Sequence, residues 1–168
     1  MILPFSTKLD GKETNFVSKI WTGLLKNNLA VYEDIEAFEN AYLFKTFNDL
    51  EIDITASPKI HTLRDDENDR WKRGIMIDFF INVRTKSMFR FAPKVQVIST
   101  QKINIIYKNK LPVVFIDRIQ FYNTNIKYDI PRMLLLAQND GFDTIEDFFN
   151  YFNKDYTGKI IHWTDLRY

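Results

Sequence analysis

The chain places an amine, an imidazole, a hydroxyl and a guanidinium within six residues, 59–64 (KIHTLR). If this stretch is extended, its side chains alternate in direction, so Ile60, Thr62 and Arg64 share one side. Arg64 carries a fixed fork of donors that suits a phosphate or a carboxylate. The Thr62 hydroxyl is inert unless a base or a charged neighbour activates it, and a desolvated Lys59 is a candidate base. The alternative is a plain polar strand that leads into a loop.

Histidine and cysteine chemistry has little support in the sequence. The chain has no Cys, which excludes disulfides, thiolate metal sites and thiol catalysis. Its two His are far apart in sequence, and His61 would project away from Thr62 in a regular strand, so packing explains it better than general-base chemistry. His162 follows an apolar stretch beside Trp163, where core packing is again the better explanation. We therefore expect no metal site and no cofactor.

The segment after Arg64 continues a recognisable order of residues. An acidic loop at 65–69 (DDEND) is followed by WKRG at 71–74 and an apolar, β-prone stretch at 76–82. This order resembles the signature of the ASCH domain, a branch of the PUA-like superfamily. There, Gly-x-Lys-x-x-Thr-x-Arg precedes a turn of the Pro-Gly kind and a strand. Four residues occupy signature positions: Lys59, Thr62, Arg64 and Gly74.

Two residues depart from the family pattern. Pro58 stands near where the family often has Gly, and Arg73 stands where Pro is common. A turn at 139–142 (NDGF) with an acidic, aromatic helix after it also resembles the C-terminal part of ASCH-like proteins. The resemblance implies a PUA-like fold, and it implies an association with RNA because such domains commonly bind RNA.

The resemblance also implies a set of catalytic candidates. Small bacterial 4-acetylcytidine amidohydrolases of this family use a Lys, a Thr and a later Glu. Lys59 and Thr62 match the first two, and Asp140 aligns near the third, where a carboxylate one methylene shorter replaces Glu. The alternative for Asp140 is a turn residue ahead of Gly141. Whether the chain is an enzyme stays open at this point.

Charge is unevenly distributed along a chain whose net charge is only +1. Residues 33–53 hold seven acids against one base, and residues 79–112 hold seven bases and no acid. Basic residues alternate with aromatic ones at 70–73 (RWKR) and 88–91 (MFRF), a mixture that suits a cationic groove with stacking platforms. The alternatives are two solvated faces of opposite sign and core packing of Phe89 and Phe91. The candidate RNA-binding or substrate-binding residues are Arg64, Trp71, Lys72, Arg84, Lys86 and Arg90.

The pattern of apolar residues predicts the elements. Helices are predicted from Thr14, a candidate cap, and over 33–47, 130–137 and 143–152; the second has Ile35, Phe38, Tyr42 and Phe44 as its apolar stripe. Strands are predicted at 2–5, 51–55, 76–83, 88–91, 95–99, 103–107, 112–121 and 158–165. We expect a single α+β domain over 1–168. Its core would be a small mixed β-barrel of five to seven strands with flanking helices and an acidic helical insert at 27–56.

The composition is that of an ordinary globular chain, with 45% apolar and 27% charged residues. We find no signal peptide and no stretch long enough to span a membrane, so we expect a cytoplasmic protein without a membrane partner. The leading functional hypothesis is an ASCH-like module that binds RNA or a modified nucleoside in a cleft lined by Lys59, Thr62 and Arg64. The alternatives are an amidohydrolase that deacylates a base such as 4-acetylcytidine, and a protein-interaction subunit that contacts its partner through the acidic insert.

Overall fold

The computed structural model describes residues 1–9 and 11–168. In chain order the elements are β1 (Ile2–Pro4), β2 (Lys8–Leu9), β3 (Lys12–Glu13), α1 (Phe16–Lys26), α2 (Tyr32–Thr46), β4 (His61–Arg64), β5 (Met76–Ile81), β6 (Phe89–Arg90), β7 (Val95–Gln96), β8 (Ser99–Lys108), β9 (Leu111–Ile116), β10 (Ile119–Asn123), a 3₁₀ turn (Lys127–Asp129), α3 (Ile130–Asn139), α4 (Ile145–Tyr151) and β11 (Tyr156–His162). They form two units, the first comprising Met1–Lys59 and Ile75–Gln96 and the second Ile60–Gly74 and Val97–Tyr168.

The first unit is built around β5, which pairs in parallel with β1 and antiparallel with β6 and β7. Ile77, Phe79 and Ile81 are buried on one face of β5, as the alternation of apolar residues predicts. Helix α1 contributes Trp21, whose Nε1 donates a hydrogen bond of 2.8 Å to the Phe91 carbonyl. The predicted helix is confirmed as α1, but its N-terminal cap is Asn15 rather than Thr14, whose hydroxyl accepts a hydrogen bond of 3.3 Å from the Phe16 amide. The strands predicted at 2–5, 76–83 and 88–91 are confirmed, and the one predicted at 95–99 is present only as the two-residue β7.

Helix α2 confirms the predicted helix at 33–47, but only part of the predicted apolar stripe packs. Phe38 contacts Trp21 edge-on at 5.6 Å between ring centroids, and Tyr42 contacts Phe89 at 5.1 Å. Phe44 was expected in the same stripe and is instead exposed. The prediction of Phe44 as a packed residue is wrong because it points away from the side of the helix that carries Phe38 and Tyr42.

The predicted strand at 51–55 is also wrong. Asp53 Oδ1 accepts hydrogen bonds from the Thr55 amide at 2.8 Å and from its hydroxyl at 2.6 Å. This local Asp side-chain turn competes with an extended ladder, and residues 54–56 form a turn and a bend. Alternation of apolar and acidic residues therefore does not produce a strand here.

The second unit contains one antiparallel sheet of five strands in the order β10-β9-β8-β11-β4. Its two hairpin turns have positive φ at both central residues: 50° and 68° at Asn109 and Lys110, and 49° and 72° at Asp117 and Arg118. Such turns match the twist of paired strands. The predicted turn at 108–110 is confirmed. The single strand predicted over 112–121 is wrong because the second turn divides it into β9 and β10.

Helices α3 and α4 complete the second unit. Thr144 caps α4, with its hydroxyl accepting the Asp147 amide at 3.0 Å. Phe148 is fully buried and packs against Phe142 and Phe152 at ring-centroid distances of 5.5 and 4.8 Å. The predicted helix at 143–152 is confirmed as α4. Of the three rings expected to form its buried stripe, Phe148 and Phe152 are buried and Phe149 is half-buried.

The mixed α+β class is confirmed. The sheets within 1–9 and 11–168 are open, with β10 and β4 at the two edges of the largest one, so the predicted closure into a barrel is not observed there. The prediction of one domain with an insert at 27–56 stays a prediction. None of the helices described is both long and apolar enough to cross a membrane.

Candidate functional site

The predicted polar strand exists as β4, at the edge of the five-stranded sheet. It pairs antiparallel with β11, so that Thr62 stands opposite Ile161 and Arg64 opposite Lys159. His61, Thr62 and Leu63 are all buried, at 2% exposure or less, and Arg64 is half-buried. Although β4 is an edge strand, its polar candidate side chains are therefore mostly buried in the protein rather than exposed to solvent.

Asp140 lies at the outer edge of β4. It is the C-terminal cap of α3 and is followed by Gly141, whose φ of 93° gives the left-handed conformation that commonly ends a helix. Its Oδ1 accepts a hydrogen bond of 3.2 Å from the Leu63 amide, and the neighbouring Asn139 carbonyl accepts one of 3.0 Å from Ile60. The end of α3 thus satisfies amides on the strand edge that β11 leaves free.

The charges of Asp140 and Arg64 are coupled. Burial lowers the pKa of the Arg64 guanidinium, and the negative charge of Asp140 opposes that shift. Arg64 Nη1 also donates to the Leu63 carbonyl at 3.2 Å. Because Asp140 is only 3% exposed, its field acts on Arg64 with little screening by water. Asp140 therefore favours the charged form of the Arg64 guanidinium.

A pocket of about 310 Å³ opens beside Arg64. It lies where β4 ends, where α4 ends and where β11 begins. The walls combine three aromatic rings with two basic and two acidic side chains and one aliphatic side chain. Its lining residues are Leu63, Arg64, Asp65, Tyr151, Phe152, Lys154, Asp155 and Tyr156.

The Tyr156 side chain in the pocket wall occupies space that is available only because residue 158 is Gly. A Cβ at Gly158 would lie 2.3 Å from Tyr156 Oη and 2.7 Å from the Arg64 carbonyl oxygen, both closer than real atoms approach. Burial raises the pKa of Tyr156, and the charge of Asp140 raises it further. The phenol is therefore a neutral hydrogen-bonding group at ordinary pH.

His61 joins a buried hydrogen-bonded chain. Its Nε2 lies 2.7 Å from Tyr168 Oη, which also accepts a hydrogen bond of 3.0 Å from Asn139 Nδ2. On the other side of the ring, His61 Nδ1 lies 3.8 Å from Asp140 Oδ1. Packing rather than base catalysis was predicted for His61, and this arrangement accords with that prediction.

Thr62 and Lys59 are both buried, each at 1% exposure, and neither lines the pocket. In the first unit, the Lys59 amide donates to the Lys19 carbonyl at 2.8 Å. Lys59 Nζ lies over the rings of Phe16 and Phe5, at 5.0 and 5.8 Å from the centroids. Cation–π contact of this kind favours the charged ammonium.

Two candidate RNA-binding residues follow β4 in the second unit. Trp71 is 5% exposed, and its amide donates to Asp66 at 2.9 Å. The Trp71 ring is therefore a packed side chain rather than an open stacking surface. Lys72 is exposed and pairs with Asp69 at 3.2 Å.

The other three basic candidates belong to the first unit. Arg84 and Lys86 are exposed in the segment after β5, where Arg84 has a φ of 68°. Arg90 lies on β6 with Nη1 3.6 Å from Asp78, a carboxylate that it shares with Lys94 at 3.2 Å. The flanking Phe89 and Phe91 are buried, which favours the core-packing alternative for both rings.

The aromatic half of the pocket was not predicted from the sequence. Tyr151 and Tyr156 were not named, although Tyr156 stands two residues before Gly158, a spacing that places both on one face of a strand. Tyr168, which contacts His61, had no sequence feature that indicated this role.

Across residues 1–9 and 11–168, no group of three or more His, Cys, Asp or Glu is arranged to hold a metal ion.

Comparison with known proteins gives no relative: no family model, no curated protein and no solved structure matches the chain. The resemblance to the ASCH domain therefore stays a prediction that depends on the residues quoted for it.

Proposed function

We propose that this protein binds a nucleobase or nucleoside, modified or at the end of an RNA strand, in the pocket beside Arg64. The observation that supports this most is the position of Arg64. The guanidinium predicted for ligand binding lines a pocket of about 310 Å³ together with Tyr151 and Tyr156. That volume lies at the lower end of the range for small-molecule sites.

The chemistry of the walls suits a flat, polar heterocycle. Aromatic rings stack on bases, and Tyr151, which is 49% exposed, can present its ring to a base. Arg64 supplies donors for carbonyl oxygens, and its hydrogen bond to the Leu63 carbonyl at 3.2 Å orients the guanidinium before the ligand arrives. Asp65 and Asp155 supply acceptors for amino or hydroxyl groups.

Calorimetric titration tests the proposal. Cytidine, 4-acetylcytidine, uridine and adenosine would be titrated into the intact protein and into Arg64→Met, with Arg118→Met as matched control because Arg118 is exposed in a hairpin turn. We expect at least one nucleoside to bind and Arg64→Met to weaken it about tenfold or more, as loss of a charged hydrogen bond does. Equal affinity in Arg64→Met and Arg118→Met would refute the proposal.

Binding of longer RNA is the broader form of the same proposal. Its support is that three of the candidate basic residues are exposed, Lys72 in the second unit and Arg84 and Lys86 in the first. Each phosphate contact makes affinity fall with rising salt. An RNA oligonucleotide titrated at several salt concentrations would separate the two forms, because a nucleoside alone carries no phosphate and its affinity should barely change.

The second candidate is deacylation of an acylated base such as 4-acetylcytidine. The observation in its favour is the buried Asp140 carboxylate coupled to Arg64 in the unit that carries Thr62. In the roles that the resemblance implies, Thr62 Oγ attacks the amide carbonyl and its proton passes to Lys59, which must be in its neutral amine form. Lys59 then gives that proton to the leaving nitrogen, with Asp140 assisting, as the C–N bond breaks and the acyl group stays on Thr62. Water then releases the acyl group. Chromatography of 4-acetylcytidine incubated with the protein, and with Thr62→Ala, measures this directly.

The burial of Thr62 makes hydrolysis the weaker candidate, because a substrate must reach a hydroxyl that is 1% exposed.

The proposal has three further parts that follow from the resemblance and the composition. These are an ASCH-like fold, the barrel-like arrangement of strands of that family, and a cytoplasmic location. A protein partner at the acidic insert, residues 27–56, is a third proposal and is independent of the pocket.

A further inference from the structure

The C-terminal end of α2 exposes three apolar side chains. Leu43 is 44% exposed, Phe44 87% and Phe47 89%. Leu43 and Phe44 belong to the last turn of the helix, and Phe47 is its C-terminal cap, so all three lie within five residues of the chain. We call these three residues the α2 patch. Single exposed apolar residues are ordinary, but two almost fully exposed Phe rings at one helix end, three residues apart in sequence, indicate an interaction surface.

The backbone at Phe47 strengthens this argument. Phe47 caps α2 with φ 57° and ψ 25°, the left-handed conformation that Gly or Asn adopts most readily. Its amide closes the helix on the Leu43 carbonyl at 2.8 Å. A Phe at this position is unfavourable for the folded chain because of its Cβ, and its ring gains no burial in return. The fold therefore gives no reason for an aromatic residue here, whereas a binding surface does.

The opposite side of α2 is already occupied. Phe38 and Tyr42 pack on the rings of Trp21 and Phe89, and Lys45 Nζ donates to the Met88 carbonyl at 2.5 Å. These contacts fix the orientation of the helix within the first unit. The α2 patch therefore lies at the end of a helix that these contacts fix in position, and not on a loop that folds back over the helix.

An acidic depression adjoins the patch and indicates the chemistry of its partner. About 310 Å³ in volume, it is lined by Leu43 and Leu50 with three carboxylates and one amide, and no lining residue is a cation. A Lys or Arg side chain suits such a lining, because its aliphatic stem packs on leucine while its charge meets a carboxylate. The polar lining residues are Glu39, Asn40, Asp49 and Glu51.

We infer that the α2 patch docks a basic, amphipathic helical segment of another protein. Apolar side chains of that segment would cover Phe44 and Phe47, and a Lys or Arg would enter the depression beside Leu43. This is the helix-in-groove mode, in which apolar anchors recur at helical spacing and flanking charges set specificity. The inference gives residues and partner chemistry to the proposed insert contact, and it holds whether or not the pocket binds nucleosides.

Selection from a displayed library of random 16-residue peptides tests the inference with no assumed partner. Peptides would be selected on the intact protein and depleted on the Phe44→Ala/Phe47→Gly variant. We expect the survivors to carry apolar residues at helical spacing and a net positive charge. A synthetic copy of the leading peptide should bind the intact protein and lose about thirtyfold or more in the double variant, the scale of an interface hot spot.

Two control variants separate this surface from general stickiness. Tyr128→Ala removes a comparably exposed ring, 93% exposed, in the second unit and should leave peptide affinity unchanged. Glu39→Gln/Asp49→Asn/Glu51→Gln should weaken binding and reduce its dependence on salt. Phe47→Gly alone should keep or raise the unfolding midpoint, since it relieves the left-handed backbone.

Several outcomes would overturn the inference. No enrichment over the double variant, enrichment of acidic peptides, or equal loss in Tyr128→Ala would each do so. A lower unfolding midpoint in Phe47→Gly would show that the ring serves the fold. Sedimentation that finds a dimer of the intact protein and a monomer of the double variant would assign the patch to a second copy of this chain instead.

Discussion

The Asp140 carboxylate and the Leu63 amide meet at the outer edge of β4, where Oδ1 accepts the N–H at 3.2 Å. The same carboxylate opposes the pKa shift that burial imposes on Arg64. One buried side chain thus has a structural task, to satisfy a strand edge, and an electrostatic task, to favour the charged form of the guanidinium beside the pocket. A substitution of Asp140 that removes only one of these two tasks measures how much that task contributes.

The first prediction separates the two tasks of Asp140. Asp140→Asn retains an oxygen for the Leu63 amide and removes the charge that faces Arg64, so we expect near-normal stability and weakened nucleoside binding. Asp140→Ala leaves the Leu63 amide without its acceptor and should lower the free energy of unfolding by about 1–3 kcal/mol. Urea denaturation measures the stability of both variants. Equal destabilisation by Asn and Ala would contradict the assigned hydrogen bond.

The second prediction concerns the loop that follows β4. Lys159 Nζ lies 2.8 Å from Asp66 Oδ2 and 3.0 Å from the Trp71 carbonyl, and it also contacts Asp69. Burial acts to raise the pKa of Asp66, but hydrogen bonds from Lys159 and from the amides of Trp71 and Arg70 outweigh it, and that pKa is lowered. Lys159→Met should therefore lower the free energy of unfolding by about 1–3 kcal/mol.

Lys102→Met is the control for that prediction. Lys102 stands opposite Lys159 on β8 and is exposed, so its loss should change stability by less than about 0.5 kcal/mol. Thermal unfolding of both variants gives the comparison. Similar midpoints for the two would show that the contacts of Lys159 contribute nothing measurable.

The third prediction is a pH dependence set by His162. Burial lowers the pKa of His162 to about 4, with the positive charge of Arg167 lowering it further and Asp117 acting the other way. The folded pKa lies below the unfolded value near 6.5. The stability that depends on a neutral, buried His162 is therefore fully present above pH 6.5 and is lost as the pH falls towards 4. Over this range the unfolding free energy should fall by up to about 3 kcal/mol through this residue.

Denaturation of the wild type and His162→Phe at several pH values between 7.5 and 4 checks this prediction. Phe keeps an apolar ring and removes two buried nitrogens that, within the described residues, have no hydrogen-bond partner. We expect the unfolding free energy of the variant to fall less steeply with acid. Parallel pH profiles would mean that His162 does not titrate between the folded and unfolded states.

The fourth prediction addresses Gly158. A methyl group there would lie within 2.7 Å of the Arg64 carbonyl and still closer to Tyr156 Oη, so strand β4 and the pocket wall cannot both stay in place. Gly158→Ala should cost about 1–3 kcal/mol and disturb ligand binding. Combining it with Tyr156→Phe removes the nearest atom and should recover part of the stability. A fully stable Gly158→Ala would contradict the described packing.

The strand that carries Thr62 and Arg64 could be predicted from sequence because β-prone residues alternate there and the turn chemistry after Arg64 is explicit. Asp140 was placed correctly as a residue ahead of a Gly turn. The hydrogen bond to Leu63 could not be foreseen, since it depends on how α3 meets a strand edge 77 residues away in sequence. Local pattern carries no information about such a distant contact.

Burial is the property of the candidate site residues that could not be predicted from local sequence. Lys59, Thr62 and Trp71 are polar or amphipathic residues in a polar stretch, and nothing local distinguishes a cation packed on the rings of Phe16 and Phe5 from one that faces a ligand. The predicted strand at 112–121 failed for a different reason. Asp117 and Arg118 adopt positive φ with no Gly or Asn to announce a turn.

The measurement that tests the central proposal most directly is amide chemical-shift mapping of the intact, ¹⁵N-labelled protein with cytidine and 4-acetylcytidine. We expect the perturbed amides to cluster at residues 63–65 and 151–156, and to lose their shifts in Arg64→Met. No perturbation at any concentration used, or a set of perturbed amides outside these segments, would contradict nucleoside binding beside Arg64.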